Sequence, residues 1–447
     1  MSSDDIKVWL NERRITEVEC LIPDMTGNAR GKIVPADKFV REDGLRLPEQ
    51  LFSQTVTGDW PDEDDLLDPR EIDMVAQPDP DTLRVVPWWS QDPTAQAIHD
   101  CYHRDGAPVE MAPRQVLRRV LALYAERGWA PVVAPELEFY LVQKNLDPDY
   151  PLKPPVGRSG RPESARQPYG IDAVNEFDPV FEDIYDYCEA QELDIDTLIH
   201  EDGAGQMEIN FLHGEPLALA DQVFLFKRTV REAALRHEMY ATFMAKPMEN
   251  EPGSAMHIHQ SLVDKATGRN LFSDDSGEMS ETFRHYIGGL QKYLPAAMPF
   301  FAPNVNSYRR IARYDSAPIN TDWGADNRTV GLRVPYANAN NTRVENRVAG
   351  ADANPYLALA TTLACGWLGI RDRIEPRPEQ RDSAYKQPIA LPRSLEQSLR
   401  HLEESEDLKQ VLGPHFVRMY SAIKRKEYET FFGVISSWER EYLLLNV

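Results

Sequence analysis

The residues best suited to chemistry come in alternating pairs. Glu136 and Glu138 flank Leu137, His257 and His259 flank Ile258, and Glu345 and Arg347 flank Asn346. In an extended strand every second side chain points the same way, so each pair presents two functional groups from one face. Glu201 and Glu208 bracket Asp202-Gly203-Ala204-Gly205-Gln206-Met207, which reads as a turn leading into a strand. Carboxylates with a few imidazoles are the donor set of Mg²⁺ or Mn²⁺, whereas zinc favours cysteine and more histidine. Each pair alone is a weak signal, because Glu-x-Glu is often a solvated strand edge and a single histidine is often a satisfied core group. Jointly they are harder to dismiss. Carboxylates beside Phe139, Ile209 and Met256 are costly unless a cation compensates them.

Arginines complete the set. Arg310, Arg328, Arg333, Arg343 and Arg347 crowd the segment 304–354, among asparagines, glycines and prolines. Ordinary surface salt bridges are one explanation. In an acidic chain, beside candidate metal ligands, the sharper one is recognition of carboxylates and phosphates, which the guanidinium fork binds through two hydrogen bonds. Cations and arginines around a transferring phosphoryl group are what ATP-dependent chemistry needs. Two nucleotide motifs are near misses. Gly27-Asn28-Ala29-Arg30-Gly31-Lys32 is too short between its glycines for a P-loop, and Ile33 stands where a hydroxyl should reach magnesium. Gly203-Ala204-Gly205-Gln206 lacks the third glycine of a dinucleotide fingerprint.

The elements that must position these groups follow from periodicity. Strands are expected over Val132 to Val142, Gln206 to Phe211 and Ala255 to Ser261. A helix should start at Pro113, with Val116, Val120, Leu121 and Tyr124 on its apolar face. Others are expected over Pro179 to Glu192 and Leu217 to Tyr240, and the apolar run from Pro355 to Ile370 reads as a buried helix too short to span a membrane. The first hundred residues read as short strands and turns, among them Glu17 to Ile22 and Lys32 to Pro35. Residues 145–170 are proline-rich, the composition of a lid, an active-site loop or a disordered excursion. The class is therefore α+β, with a boundary near Asp105-Gly106-Ala107-Pro108.

Composition narrows the partners. The chain has 447 residues, 42% hydrophobic and 27% charged, with 49 basic against 72 acidic side chains for a net charge of −23. That balance opposes nucleic acid and anionic membrane surfaces, which need basic patches. The start, MSSDDIKVWL, lacks a signal peptide's basic flank and apolar run, and the four cysteines have no metal or redox spacing. A cytoplasmic protein is expected. From Asp59 to Asp81 ten acidic residues face one base, Arg70. A solvated loop explains this stretch, and an electrostatic collector for a cationic substrate is the sharper alternative.

Six motifs in order carry a family resemblance: Pro135-Glu136-Leu137-Glu138-Phe139; His200-Glu201 through Gly205-Gln206-Met207-Glu208; Lys246-Pro247 with Gly253-Ser254-Ala255-Met256-His257-Ile258-His259; Asn306-Ser307-Tyr308-Arg309-Arg310; Asn327-Arg328 to Arg333-Val334-Pro335; and Arg343-Val344-Glu345-Asn346-Arg347 leading to Asn354-Pro355-Tyr356. Together they resemble the glutamine synthetase superfamily almost end to end. The resemblance implies an N-terminal β-grasp domain (1–107) and a catalytic domain (108–447) whose antiparallel strands, backed by helices, form a metal-binding funnel. It implies Glu138, Glu201 and Glu208 around one divalent cation and Glu136, His257 and Glu345 around a second, with two or three Mg²⁺ or Mn²⁺ per site. His259, Ser261, Arg333 and Arg343 would meet ATP, the co-substrate. Gly253, Arg310 and Arg347 would hold glutamate, and Arg328 and Glu345 would stand at the chemistry, Arg328 stabilising the transferring phosphoryl group. Family members attack ATP with the γ-carboxylate of glutamate, and a nitrogen nucleophile then displaces phosphate. They assemble as two hexameric rings with active sites between neighbouring subunits, so a dodecamer is expected.

Departures from the family pattern bear on the nucleophile. Glutamine synthetases hold ammonium with two acidic residues, one in each domain. Registered on Gly58 and Trp60, the first position is Ser53, with Asp59 nearby; registered on Ala317-Pro318, the second is Ser316, with Asp315 adjacent. Losing two such acids removes charge-assisted hydrogen bonds worth about 1.5–3 kcal/mol each, and small hydroxyls leave room for a larger amine. A subgroup that joins glutamate to polyamines or monoamines, such as γ-glutamylputrescine synthetases, resembles the chain at 252–260 and at Trp323-Gly324. A γ-glutamyl–amine ligase is therefore expected; an ammonia-dependent glutamine synthetase and a catalytically silent glutamate- or nucleotide-binding homologue are the alternatives. Phe52, Trp60, Tyr314 and Trp323 are candidates for an apolar wall around a monoamine. Pro252 stands where glutamine synthetases often have an asparagine, and the surroundings of Tyr385 do not match an adenylylation site.

Overall fold

Two sheets organise the chain. The computed structural model describes every residue except 1, 43, 64, 67, 90, 165, 314 and 315. The first sheet runs Ala29–Pro35, Glu17–Pro23, Thr94–Tyr102, Asp73–Pro78, Leu45–Pro48, with Arg84–Val86 also on Thr94–Tyr102. Its hairpin turns at Asp24, whose carboxylate accepts from the Thr26 and Asn28 amides and pairs with Arg30 at 2.8 Å. Gly27 there has φ +82°, a region that glycine enters without a Cβ clash.

The second sheet has eight strands in the order Trp323–Ala325, Leu332–Val334, Val344–Asn346, Met256–Asp264, Trp129–Gln143, Gln206–Phe211, Ile195–His200, with Met239–Thr242 also on the long strand Trp129–Gln143. That strand divides its faces by alternation. Val133, Leu137, Phe139 and Leu141 are buried, while Glu136 and Glu138 point the other way. Behind the buried face lie the helices Pro113–Ala125, Pro216–Arg236, Glu281–Phe301 and Pro355–Asp372. The last is buried from Pro355 to Ile370 and is capped by Asn354, which accepts from the Tyr356 amide. Gly289 and Gly369 let it approach Glu281–Phe301: a Cβ on Gly289 would meet the Gly369 Cα at 2.5 Å.

The α+β class is borne out, and the expected strands and helices form within a few residues of their expected ends. One helix stops early. The pattern over Leu217 to Tyr240 continues past Arg236, but Glu238 takes φ +59° and Met239–Thr242 joins the sheet instead. Segment 145–170 is not a disordered excursion; it folds back over the turn at 201–206.

Buried charge ties the first sheet to the helices Pro113–Ala125 and Pro216–Arg236. Arg114, 2% exposed, donates to both Asp221 oxygens at 2.9 and 2.6 Å and to Asp79 at 2.8 Å, with Asp100 also 2.8 Å away. A second clasp holds the acidic stretch. Asp62 pairs with Lys426 at 2.8 Å and Asp65 with Arg418 at 2.6 Å on the helix Pro414–Phe432, and the Val56 amide donates to Glu427 at 2.7 Å. Asp62, Asp65 and Asp79 of the stretch that suggested a collector are thus already paired. The four cysteines are buried and free, and among the described residues no helix is long and apolar enough to cross a membrane.

Candidate active site

Register decides which side chains meet. Glu138 lies opposite Glu208, His257 opposite Glu136, His259 opposite Glu345, and Glu345 opposite Arg333. Five adjoining strands thereby turn functional side chains into one cavity of about 500 Å³. Like charges placed opposite one another destabilise a sheet, so Glu138 against Glu208, each under 10% exposed, is an arrangement that a bound cation would relieve. Two sets of donors converge there. Glu136, His257 and Glu345 form one; Glu138 and Glu208 form the other, sharing His257, with all donor atoms of each set within 4.8 Å. Buried oxygens and imidazole nitrogens suit Mg²⁺ or Mn²⁺. Glu201 stands outside these tight sets but lines the same cavity.

Electrostatics agree with this reading. Burial and the neighbouring Glu138 push Glu208 up to about 9 and Glu201 up to about 8. Glu345 goes the other way: burial is outweighed by Arg347, His257 and His259, which hold it near about 2. Glu136 is likewise held well below the carboxylate range, its burial outweighed by hydrogen bonds from His257 and His259. His259 donates through Nε2 to Glu136 at 2.8 Å, and its Nδ1 accepts from Arg343 Nε at 3.1 Å, which fixes the ring's tautomer.

Arginines face this acidic floor. Arg333 donates to Glu345 at 2.9 Å and to Asp326 at 2.6 Å, and Arg347 donates to the other Glu345 oxygen. The buried Nε atoms of both lack an acceptor among the described residues, leaving donor capacity for an anion. Arg310 lines the cavity and is oriented by bonds from its two Nη atoms to the Val348 and Arg347 carbonyls at 2.9 and 3.0 Å. Gly253 lies against it, and a Cβ there would meet Arg310 Cγ at 2.5 Å, so the backbone reaches the cavity only as glycine. Arg328 is exposed at the cavity wall, with no ion pair to any described carboxylate.

The structure gathers Glu136, Glu138, Glu201, Glu208, Gly253, His257, Arg310, Ser316, Arg328, Arg333, Glu345 and Arg347 around one cavity. His259, Ser261 and Arg343 do not line it. The first two continue the His257 strand, and Arg343 adjoins His259. Ser53 is also elsewhere in its own chain, fully buried with its hydroxyl donating to the Gln50 carbonyl at 2.7 Å. Ser316 is exposed with φ +59°; Tyr314 and Asp315 lie outside the described residues. Pattern reading missed Gln206, Pro168 and Tyr169. Gln206 donates to Glu138 at 3.1 Å and to the Gly253 carbonyl at 3.1 Å, tying a carboxylate of the second donor set to the glycine. Its place in the quoted motif was the available signal. Tyr169, in the proline-rich segment, lines the rim, as does Tyr385.

Comparison with known proteins decides the family. The model of the glutamine synthetase catalytic domain matches residues 110–443. The chain belongs to the glutamine synthetase family. Gamma-glutamylputrescine synthetase PuuA of Escherichia coli is 36% identical over 458 residues, 99% of this chain and 95% of that protein. Glutamate–isopropylamine ligase of a Pseudomonas species is 31% identical over 97% of this chain and 96% of its own. Glutamine synthetase of Pyrococcus abyssi is 33% identical over 94% and 92%. The structure of GmaS in complex with ADP superposes with a TM-score of 0.84 at 29% identity, covering 98% of this chain and 99% of that one.

Proposed function

We propose that the chain joins the γ-carboxylate of L-glutamate to an organic amine, using ATP through a γ-glutamyl phosphate intermediate. The observation that carries the reading is Ser316: a hydroxyl, not a carboxylate, stands at the cavity where an ammonium-holding acid is expected. Two relatives named for amine substrates, PuuA and the isopropylamine ligase, support it over nearly the whole chain, and the ADP complex of GmaS supports the nucleotide.

In this reading Glu138, Glu201 and Glu208 hold one Mg²⁺ or Mn²⁺ and Glu136, His257 and Glu345 another. Bound cations there would neutralise charge on the phosphates and polarise the phosphoryl oxygens. The remaining work falls to this chain's own groups. Gly253, Arg310 and Arg347 place glutamate with its γ-carboxylate toward the floor. His259, Ser261, Arg333 and Arg343 orient the nucleotide. Arg328, exposed at the cavity wall and without an ion pair among the described residues, moves onto the phosphoryl oxygens as charge develops and is then free to leave. The alkylammonium first gives up a proton to water, and the neutral amine then attacks the acyl carbon and expels inorganic phosphate. We assign residues 1–107 to a separate N-terminal domain. In a ring-forming dodecamer acting in the cytoplasm, the loop that follows Ser53 would approach a neighbour's site, Ser53 itself being fully buried in its own chain.

A second reading has its own support. Asp202 lines the same cavity and could hold ammonium, as a glutamine synthetase would require. Phosphate release from ATP and glutamate, assayed with ammonium, putrescine, spermidine and several monoamines, tests both. Activity with an organic amine and little with ammonium is expected; activity with ammonium alone overturns the amine reading.

A further inference from the structure

We propose that Glu163 is a positioning residue, a carboxylate on the proline-rich segment that clasps both ends of the turn carrying Glu201. The proposal rests on the reading of Glu201 as a metal ligand. Segment 145–170 is mostly exposed, yet the Glu163 side chain is only 8% exposed. One of its oxygens accepts from His200 Nε2 at 2.9 Å, and the other accepts from the Gly205 amide at 2.5 Å. His200 and Gly205 are the residues on either side of 201–204, so a single carboxylate spans the turn. The grip is passed inward directly, because His200 Nδ1 bonds the Glu201 carbonyl at 2.7 Å.

The surroundings leave the turn no slack. Gly205 has φ +76°, and a Cβ on it would meet the Pro155 ring at 2.5 Å, so segment and turn are in contact with no room between them. The Ala204 amide is taken by a second carboxylate, Glu251, at 3.1 Å, and the Tyr169 amide donates to the His200 carbonyl at 2.9 Å. Glu201 and Asp202, which line the cavity, lie between the two anchors of Glu163. Removing that carboxylate strands a buried amide and a buried imidazole, and the displacement falls on the residues between them. Partners that orient metal ligands typically change metal affinity or activity by about 10- to 100-fold when removed.

The test uses the full-length protein and Mn²⁺ itself, followed by electron paramagnetic resonance, alongside turnover. Glu163→Ala is expected to weaken Mn²⁺ binding by about 10-fold or more and to lower kcat, without a matching rise in KM for ATP. Glu163→Gln keeps an acceptor for Gly205 and recovers part of both; being nearly isosteric, it also reads out the clasp should the alanine variant not fold. Arg166→Ala, which cuts the bond from the same segment to the Asn250 carbonyl, is expected to leave both unchanged. Mn²⁺ affinity and kcat within about twofold of wild type in both Glu163 variants would overturn the proposal. So would an equal loss in Arg166→Ala, which would signal general loosening. Wild type that binds no Mn²⁺ would instead overturn the metal reading itself, and the clasp with it.

Discussion

Metal binding should be strongly coupled to protons. The oxygens of Glu138 and Glu208 lie within 4.8 Å of one another. At that separation two like charges repel by roughly 3–4 kcal/mol at an effective dielectric constant of about 20, equivalent to roughly two and a half pKa units. With burial added, Glu208 rises to about 9 and Glu201 to about 8, so both hold a proton at neutral pH in the cation-free protein. A divalent cation must displace those protons. Its affinity should therefore rise by about one to two log units per pH unit between about pH 6 and about pH 8. Stability of the cation-free protein runs the opposite way. The contribution of a carboxyl raised from its ordinary 4.5 is full below that value and is lost as pH rises through about 8 and 9. Added Mg²⁺ should accordingly raise the melting temperature more in alkaline than in acidic buffer. Glu208→Gln removes one titrating group, so it should weaken binding and lower the slope by about one. Calorimetric titration in two buffers of different ionisation enthalpy counts the protons released. Binding that is independent of pH across this range and releases no protons would refute the reasoning, because the carboxylates would then already be ionised.

Two further outcomes are expected. Arg328→Ala should lower kcat by about 10²-fold or more with little change in KM for ATP, since a group that engages developing charge acts in the transition state; the reverse pattern in steady-state kinetics would place it in ground-state binding. Arg114→Ala should destabilise the fold by about 3–5 kcal/mol in chemical denaturation, because it leaves the buried Asp221 without its cation and leaves Asp79 and Asp100 only the more exposed Arg118; a loss under about 1 kcal/mol would show that the network relaxes freely.

What could be read from the chain was whatever a local period encodes. Glu136 with Glu138 and His257 with His259 share faces because strands alternate, and that needs no knowledge of neighbours. Which strand faces which was not local. The pairing of Glu138 with Glu208 depends on register between strands separated by the proline-rich segment, two helices and a further strand. The early end of the helix at Arg236 was hidden because the apolar pattern runs on, and only the competing sheet partner at Tyr140 to Gln143 diverts the backbone. Glu163 was invisible for another reason. It sits in an aperiodic loop, and its role comes from a carboxylate reaching a buried imidazole and a glycine amide, neither of which leaves a sequence signature. Ser53 was selected by registering a motif, and its fold position away from its own chain's cavity has no counterpart in the linear pattern.

The clasp between residues 56–65 and the helix Pro414–Phe432 limits how the molecule can be re-engineered. Glu427 receives the Val56 amide on one oxygen and the buried Lys424 on the other, while Lys426 and Arg418 hold Asp62 and Asp65. A chimera that exchanged only the first hundred residues for those of a relative would set a foreign loop against this helix and leave the Lys424–Glu427 pair, both nearly buried, with an unmatched lid. Grafts between relatives should therefore move the two ends of the chain as one unit, although they are the parts most distant in sequence.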